Sequence, residues 1–178
     1  AMHENESDYV ILPHWLLTII FDEVIGNRDF IVADNGTDIL SNNIELLTWD
    51  GTHWSILPYD VEISLGCDVV YSIDIYTSQT GRLINGTIPM QFTTYFETEV
   101  KEIYTDLRKK RIIDVENIVN TYKEFSATIP RNLIDSDIKK WGDFYAIECN
   151  KTSGSYNQIY SYIQSRIEYL DTIWLNDY

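Results

Sequence analysis

Three short polar segments in the first third of the chain carry side chains that suit metal-assisted phosphoryl transfer. They are Gly26–Asp29, Ser41–Asn43 and Pro58–Glu62. Their carboxylate and amide groups supply oxygen atoms, which are the ligands that magnesium prefers. Along the chain an aspartate comes first, then an asparagine, then a second aspartate. That order matches a catalytic base followed by two metal-binding residues in phosphoryl transfer.

A β-hairpin is predicted between the second and third of these segments. Residues 44–49 and 54–59 form two short alternating runs, which Asp50–His53 connects. An Asp-Gly pair between two such runs is the strongest local signal for a hairpin. Pro58 places the second strand at an edge, where a missing backbone donor is tolerated.

The hairpin should bring the polar segments together, because residues just before one strand and just after its partner lie side by side. Asn43, or its neighbour Asn42, should therefore lie near Asp60 and form a magnesium site with it. Asp29, in the preceding loop, could approach the same point as a base or a positioning group. Glu62 is a further possible ligand, although it is more often a solvent-facing strand residue.

Each of these residues also has an ordinary structural explanation. Asn and Asp at turns usually bond the local backbone. The acidic composition is equally ambiguous: the chain has a net charge of −15, and residues 1–60 hold eleven acidic side chains and one basic side chain, Arg28. Two interpretations fit this charge: a solvated acidic surface, or several carboxylates that converge on a divalent cation. It argues against nucleic acid as a partner, since phosphate binding needs a basic surface.

The elements that position these residues are predicted to form an α+β domain that is mostly helical. A helix should start at Ser7 or Asp8 and end near Ile25, with Gly26 as its left-handed end. Apolar spacing of three and four predicts further helices over 91–111, 114–129, a short one at 138–141, and 156–174. Asp114 should cap the second of these, with Phe125 and Ile129 facing inward. Two cysteines are too few for a disulfide scaffold, and no apolar run is long enough to span a membrane.

The run VIGNRD, followed by NNIELLTWDGTHWSILPYDVEISLG, resembles the signature region of the spore coat protein H (CotH) kinase family. Members carry a similar Asn-x-Asp, an Asn before a strand, a hairpin with Trp, and then Asp-x-Asp and Gly. The helical segments YFETEVKEIYTDLRKK and IYSYIQSRIEYLDTIW are similar to the family's helical tail. The resemblance covers about residues 9–176.

The resemblance implies an atypical protein-kinase fold, with a body like a kinase C-terminal lobe, that uses ATP and Mg²⁺ to phosphorylate protein side chains. By this resemblance Asp29 is the catalytic aspartate, oriented by Asn27. Asn43 and Asp60 then bind the metal and cofactor, and Glu62 stands where the family has a second aspartate. Glutamate keeps the charge but is one methylene longer.

Two departures from the family pattern open a second interpretation. Asp29 and Asn43 are farther apart than in the family, and no Gly-rich loop or strand lysine precedes them to hold phosphates. We expect residues 1–7 to be a leader and 8–178 to be one domain without the nucleotide-binding lobe. The alternative is a non-catalytic binding or structural module, as in similar phage tail or baseplate proteins. A spore coat, a virion and the cytoplasm are all compatible locations, and the partner is a protein in either case.

Overall fold

The computed structural model describes residues 6–27, 44–59, 61, 64–66, 88–148 and 156–175. Its described part is mostly helical with one two-stranded antiparallel sheet, which confirms the α+β class. After a 3-10 turn at Glu6–Tyr9, the elements in order are α1 Leu12–Ile25, β1 Ile44–Thr48, β2 Trp54–Pro58, α2 Ile88–Tyr95, α3 Glu97–Lys109, α4 Val115–Ala127, α5 Arg131–Glu148 and α6 Tyr156–Trp174.

Two helices, α1 and α6, run through the centre of the core. Each packs against α3 and against the other, while β2 covers α1 and α4 covers α6. The apolar stripe predicted for α6 is confirmed, since Ile159, Ile163 and Leu170 are all buried. Aromatic rings join α1 to the helices that follow: Trp15 stacks on Phe92 with ring centroids 4.9 Å apart. Burial of these side chains is the main contribution to stability.

The hairpin forms as predicted, with strands that end within one residue of the expected positions. Ile44 pairs with Pro58 at the open end, and Thr48 pairs with Trp54 at the turn. In the turn, Asp50 accepts hydrogen bonds from the backbone N–H groups of Thr52 and His53, at 2.8 and 2.7 Å. The hydrogen bond to the His53 side chain, followed by these two backbone bonds, holds the pKa of Asp50 well below its usual range.

The first helix starts later than predicted. Neither Ser7 nor Asp8 caps it; α1 begins at Leu12, after Ile11, which makes no side-chain cap bond. Instead, Val10 forms a parallel bridge with Trp54. Pairing with the hairpin therefore outweighs the local capping signal in this segment. The predicted end is confirmed, because Gly26 is left-handed with φ of 66°.

The later helices differ from the prediction in three details. The stretch 91–111 is two helices that bend at Phe96, with φ −111° and ψ 39°. Residues 131–148 form a long helix rather than a short one. Phe125 and Ile129, both expected to face inward, are 68% and 39% exposed. Tyr122 and Ser126, on either side of Phe125, both contact Tyr156 at the start of α6.

Among the described residues, no helix combines the length and the apolar character needed to cross a bilayer.

Candidate functional site

The C-terminal end of α1, which leads into the predicted catalytic segment, has a fixed shape. The backbone N–H groups of Gly26 and Asn27 both donate to the Asp22 carbonyl, at 2.8 and 3.2 Å. A Cβ atom at position 26 would lie 1.6 Å from the hydroxyl oxygen of Tyr162 on α6. Only glycine combines the left-handed backbone with this close approach. The direction in which the chain leaves α1 is therefore set by α6.

A buried ion pair joins the same end of α1 to α6. The Arg166 guanidinium contacts the Glu23 carboxylate, and both side chains are completely buried. Arg166 also donates from Nε to the Glu23 main-chain carbonyl at 2.6 Å. That carbonyl belongs to the last turn of the helix, whose carbonyl groups need partners from outside the helix. Arg166 thus neutralises a buried charge and holds the helix end at once.

A third contact brings the chain that follows the hairpin back to this point. The backbone N–H of Leu65 donates to the Ile25 carbonyl at 2.7 Å. Gln158 of α6 donates from its side chain to the Leu65 carbonyl at 3.0 Å. Leu65 and Gly66 both have positive φ, 55° and 77°. These two bonds hold residues 64–66, which follow the hairpin in the chain, against α1 and α6.

Strand β2 of the hairpin and helix α1 run in the same direction. Trp15 Nε1 donates to the Trp54 carbonyl at 2.9 Å, and Thr18 Oγ1 donates to the Ile56 carbonyl at 3.3 Å. Residues further along α1 thus match residues further along β2. From Thr18 to the end of α1 is about 10 Å, and from Ile56 to the end of β2 is about 7 Å. α1 and β2 therefore end on the same side of the layer that α1 and the hairpin form, where β1 begins.

Of the predicted site residues, the structure describes Asn27 alone. It follows Gly26 directly, and its side chain is completely buried. Its predicted orienting role stays a prediction. The other five fall outside the described residues, and their assignments stay predictions: Asp29, Asn42, Asn43, Asp60 and Glu62. Within the described ranges, no three His, Cys, Asp or Glu side chains form a group that could hold a metal.

Sequence reasoning missed Glu23 and Arg166, although the signal was present. Arg166 lies between Ile163 and Leu170 at helical spacing, so it occupies the apolar stripe of α6. Glu23 follows Ile19 and Ile20 by four and three residues on the buried side of α1. A charged residue on an apolar stripe is costly unless an opposite charge meets it. Two such residues of opposite sign are a pairing signal.

The electrostatics of this region are one-sided. The described residues of α1, the hairpin and the turn at 64–66 contain no lysine or arginine. Arg166, contributed by α6, is the cation that meets the buried carboxylate of Glu23. A region of excess negative charge suits cations and basic partners.

Comparison of the chain with protein-family models, curated proteins and solved structures found no match.

Proposed function

We propose that this chain is the part of a CotH-type atypical protein kinase that resembles a kinase C-terminal lobe. One observation supports the proposal best: α1 and β2 end on the same side of their layer, where β1 begins. The predicted site residues lie within four residues of these three ends in the sequence. Asp29 comes after α1, Asn43 comes before β1, and Asp60 comes two residues after β2.

In this proposal the residues divide into a base and a metal site. Asp29 accepts the proton of the hydroxyl group on the protein substrate, and buried Asn27 orients the loop that carries it. Asn43, Asp60 and Glu62 would hold Mg²⁺, since one amide and two carboxylates are a suitable set of oxygen donors. The metal, when bound, neutralises charge on the phosphates of ATP.

The chain by itself is expected to bind nucleotide without transferring phosphate. Its sequence contains no Gly-rich loop with a strand lysine, which in kinases cover and pair the phosphates. Those groups would have to come from another polypeptide segment. The proposal therefore concerns the metal and base half of the reaction, and binding is the first property to test.

A second candidate function is a non-catalytic binding module, as in phage tail or baseplate proteins that resemble the family. Large apolar side chains at the end of α4 and along α5 are exposed in the described part: Phe125, Ile129, Leu133, Ile138 and Trp141. Several exposed large apolar side chains on consecutive elements are typical of a protein contact surface. This candidate needs neither metal nor nucleotide, so the two proposals predict different results in a binding experiment.

The experiment is thermal unfolding with and without Mg-ATP for wild type and Asp60→Ala. A ligand that binds the folded form alone stabilises it by about 2.7 kcal/mol at a hundredfold excess over Kd. We expect the melting temperature of the wild type to rise and that of Asp60→Ala to stay unchanged. Asp137→Ala, which removes an exposed carboxylate on α5, is the matched control and should respond like the wild type.

Two outcomes would contradict the kinase proposal. One is no rise for the wild type at millimolar Mg-ATP, which would favour the binding module. The other is an equal rise in wild type and Asp60→Ala, which would place any nucleotide site away from the end of the hairpin. Mg²⁺ alone, tested in parallel, separates a metal site from a nucleotide site.

A further inference from the structure

The hairpin has two outer edges, and the described residues pair with one of them. On the β2 side, Val10 forms a parallel bridge with Trp54, and the Ile11 N–H donates to the Trp54 carbonyl at 2.9 Å. Thr18 of α1 donates to the Ile56 carbonyl of the same edge. The outward carbonyl groups of Trp54 and Ile56 on β2 are therefore used by the protein itself.

The strand register shows which groups of β1 point outward. In an antiparallel pair, opposite residues alternate between bonding each other and pointing their backbone groups away. Trp54 and Ile56 point away from β1, since their carbonyls bond the α1 region. Their partners are Thr48 and Leu46. The N–H and C=O groups of Leu46 and Thr48 therefore point to the outer edge of β1.

Within the described part of the chain, no further strand pairs with this outer edge of β1. Such edges are usually protected by lysine, proline or a bulge, and β1 contains neither lysine nor proline. Leu46 is 55% exposed, and Leu47 and Trp49 are also exposed. The edge thus offers backbone donors and acceptors at strand spacing, with apolar side chains beside them.

We propose that the outer edge of β1 binds an extended, basic peptide segment of a partner protein, which adds a third strand to the hairpin. Strand addition uses main-chain hydrogen bonds for affinity and alternate side chains for specificity. The charge of this layer favours a basic partner, because Glu45 lies on β1 and the described residues of α1 and the hairpin include no lysine or arginine. The inference does not depend on the proposed kinase function.

The test measures binding of a dye-labelled peptide in which lysine alternates with valine and threonine. Leu46→Pro removes an outward N–H that the β1–β2 pairing does not use, and we expect affinity to fall at least about tenfold. Leu46→Val, the matched control, keeps the N–H and an apolar side chain and should bind within about twofold of wild type. Circular dichroism and thermal unfolding check that both variants fold.

Should Leu46→Pro not fold, Leu46→Lys serves as the second variant. It keeps the N–H but repels the basic peptide, so its affinity should also fall at least about tenfold. Amide hydrogen exchange gives a site-specific readout: the Leu46 N–H should exchange quickly in the free protein and slowly in the complex.

Four results would overturn the inference. The first is no binding by the wild type. The second is equal binding of a peptide N-methylated at alternate residues, since attraction by charge alone would then suffice. The third is a slowly exchanging Leu46 N–H in the free monomer, which would mean that another segment of this chain occupies the edge. The fourth is protection of the same N–H only upon dimerisation, measured by sedimentation, which would assign the edge to a second copy.

Discussion

Two ion pairs hold α6 to the rest of the protein, and they differ mainly in burial. Near the middle of α6, Arg166 pairs with Glu23 of α1, and water reaches neither side chain. One turn later, Asp171 pairs with Arg108 of α3 at 2.9 Å, with 23% and 26% of the two side chains exposed. We refer to these as the α1 anchor, Glu23–Arg166, and the α3 anchor, Arg108–Asp171.

The difference in burial indicates different roles. The carboxylate of the α3 anchor receives hydrogen bonds from Arg108 Nε and from the Tyr104 hydroxyl, at 3.0 and 2.8 Å, and partial exposure lets water replace a lost bond. The α1 anchor has no access to water, so each charge depends on the other. A fully buried pair is a poor source of net stability but a strict determinant of geometry. It fixes the end of α1, from which the predicted catalytic segment begins.

The largest effect is expected from breaking the α1 anchor on one side. Arg166→Met leaves the Glu23 carboxylate buried without its partner, which should lower the free energy of unfolding by about 3–5 kcal/mol. Arg108→Met breaks the α3 anchor and should cost less, about 1–3 kcal/mol, because Asp171 keeps the Tyr104 bond and some solvent. Urea unfolding of both variants measures the difference.

The double variant Glu23→Gln/Arg166→Met tests whether the cost comes from the isolated charge. Because the double variant has no buried carboxylate at position 23, it should recover a large part of the stability that Arg166→Met loses. If the single and double variants were equally unstable, the loss would come from packing around Arg166. An isolated buried charge would then not distinguish the α1 anchor from the α3 anchor.

A smaller effect is expected from closing the space at the end of α1. Gly26→Ala combines a positive φ with a collision against the Tyr162 hydroxyl, which should cost about 2–4 kcal/mol. Gly51 in the hairpin turn has φ of 75° but open space around it, so Gly51→Ala should cost about 1–2 kcal/mol. Thermal unfolding of the two variants isolates the close approach. Equal losses would mean that Tyr162 moves aside and does not fix the exit of α1.

Local signals in the sequence predicted the parts of the fold that depend on local chemistry. Asp50-Gly51 predicted the hairpin, Gly26 predicted the end of α1, and Asp114 predicted the start of α4, where its side chain accepts from the Asn117 N–H at 3.1 Å. Asp114 has a lowered pKa because it accepts that bond and one from Arg111. A cap or a tight turn involves neighbouring residues, so its pattern is visible along the chain.

Features that depend on distant partners were predicted less well. The start of α1 was wrong because Val10 pairs with Trp54, a contact between residues far apart in the chain. The inward assignment of Phe125 and Ile129 was wrong: both side chains are exposed, while Tyr122 and Ser126 make the contact with Tyr156 of α6. The Glu23–Arg166 pair was missed because its residues lie on helices far apart in the chain: each shows a charge on an apolar stripe, but neither stripe alone identifies the partner. For the candidate site, the side chain of Asn27 is described, and the roles of Asp29, Asn43 and Asp60 stay predictions.

The smallest effect is expected from removing the Tyr104 hydroxyl, which donates to Asp171 of the α3 anchor, and this effect should depend on pH. Burial, followed by the hydrogen bond to the Asp171 carboxylate, raises the pKa of Tyr104 above its usual value of 10.0. Below about pH 10 this tyrosine is neutral in both states, and its contribution to stability is complete. At higher pH it ionises in the unfolded chain first, so stability falls with rising pH.

Tyr104→Phe should cost about 1 kcal/mol at pH 7, because the hydrogen bond to Asp171 is lost. It should then lose less stability than the wild type between neutral and alkaline pH, in urea unfolding measured at each pH. Tyr95→Phe, which changes an exposed ring, should follow the wild type throughout. A constant difference between Tyr104→Phe and the wild type at every pH would show that the Tyr104 hydroxyl ionises as easily in the folded protein as in the unfolded chain. The α3 anchor would then be as open to solvent as any surface pair, and its contrast with the α1 anchor would be larger still.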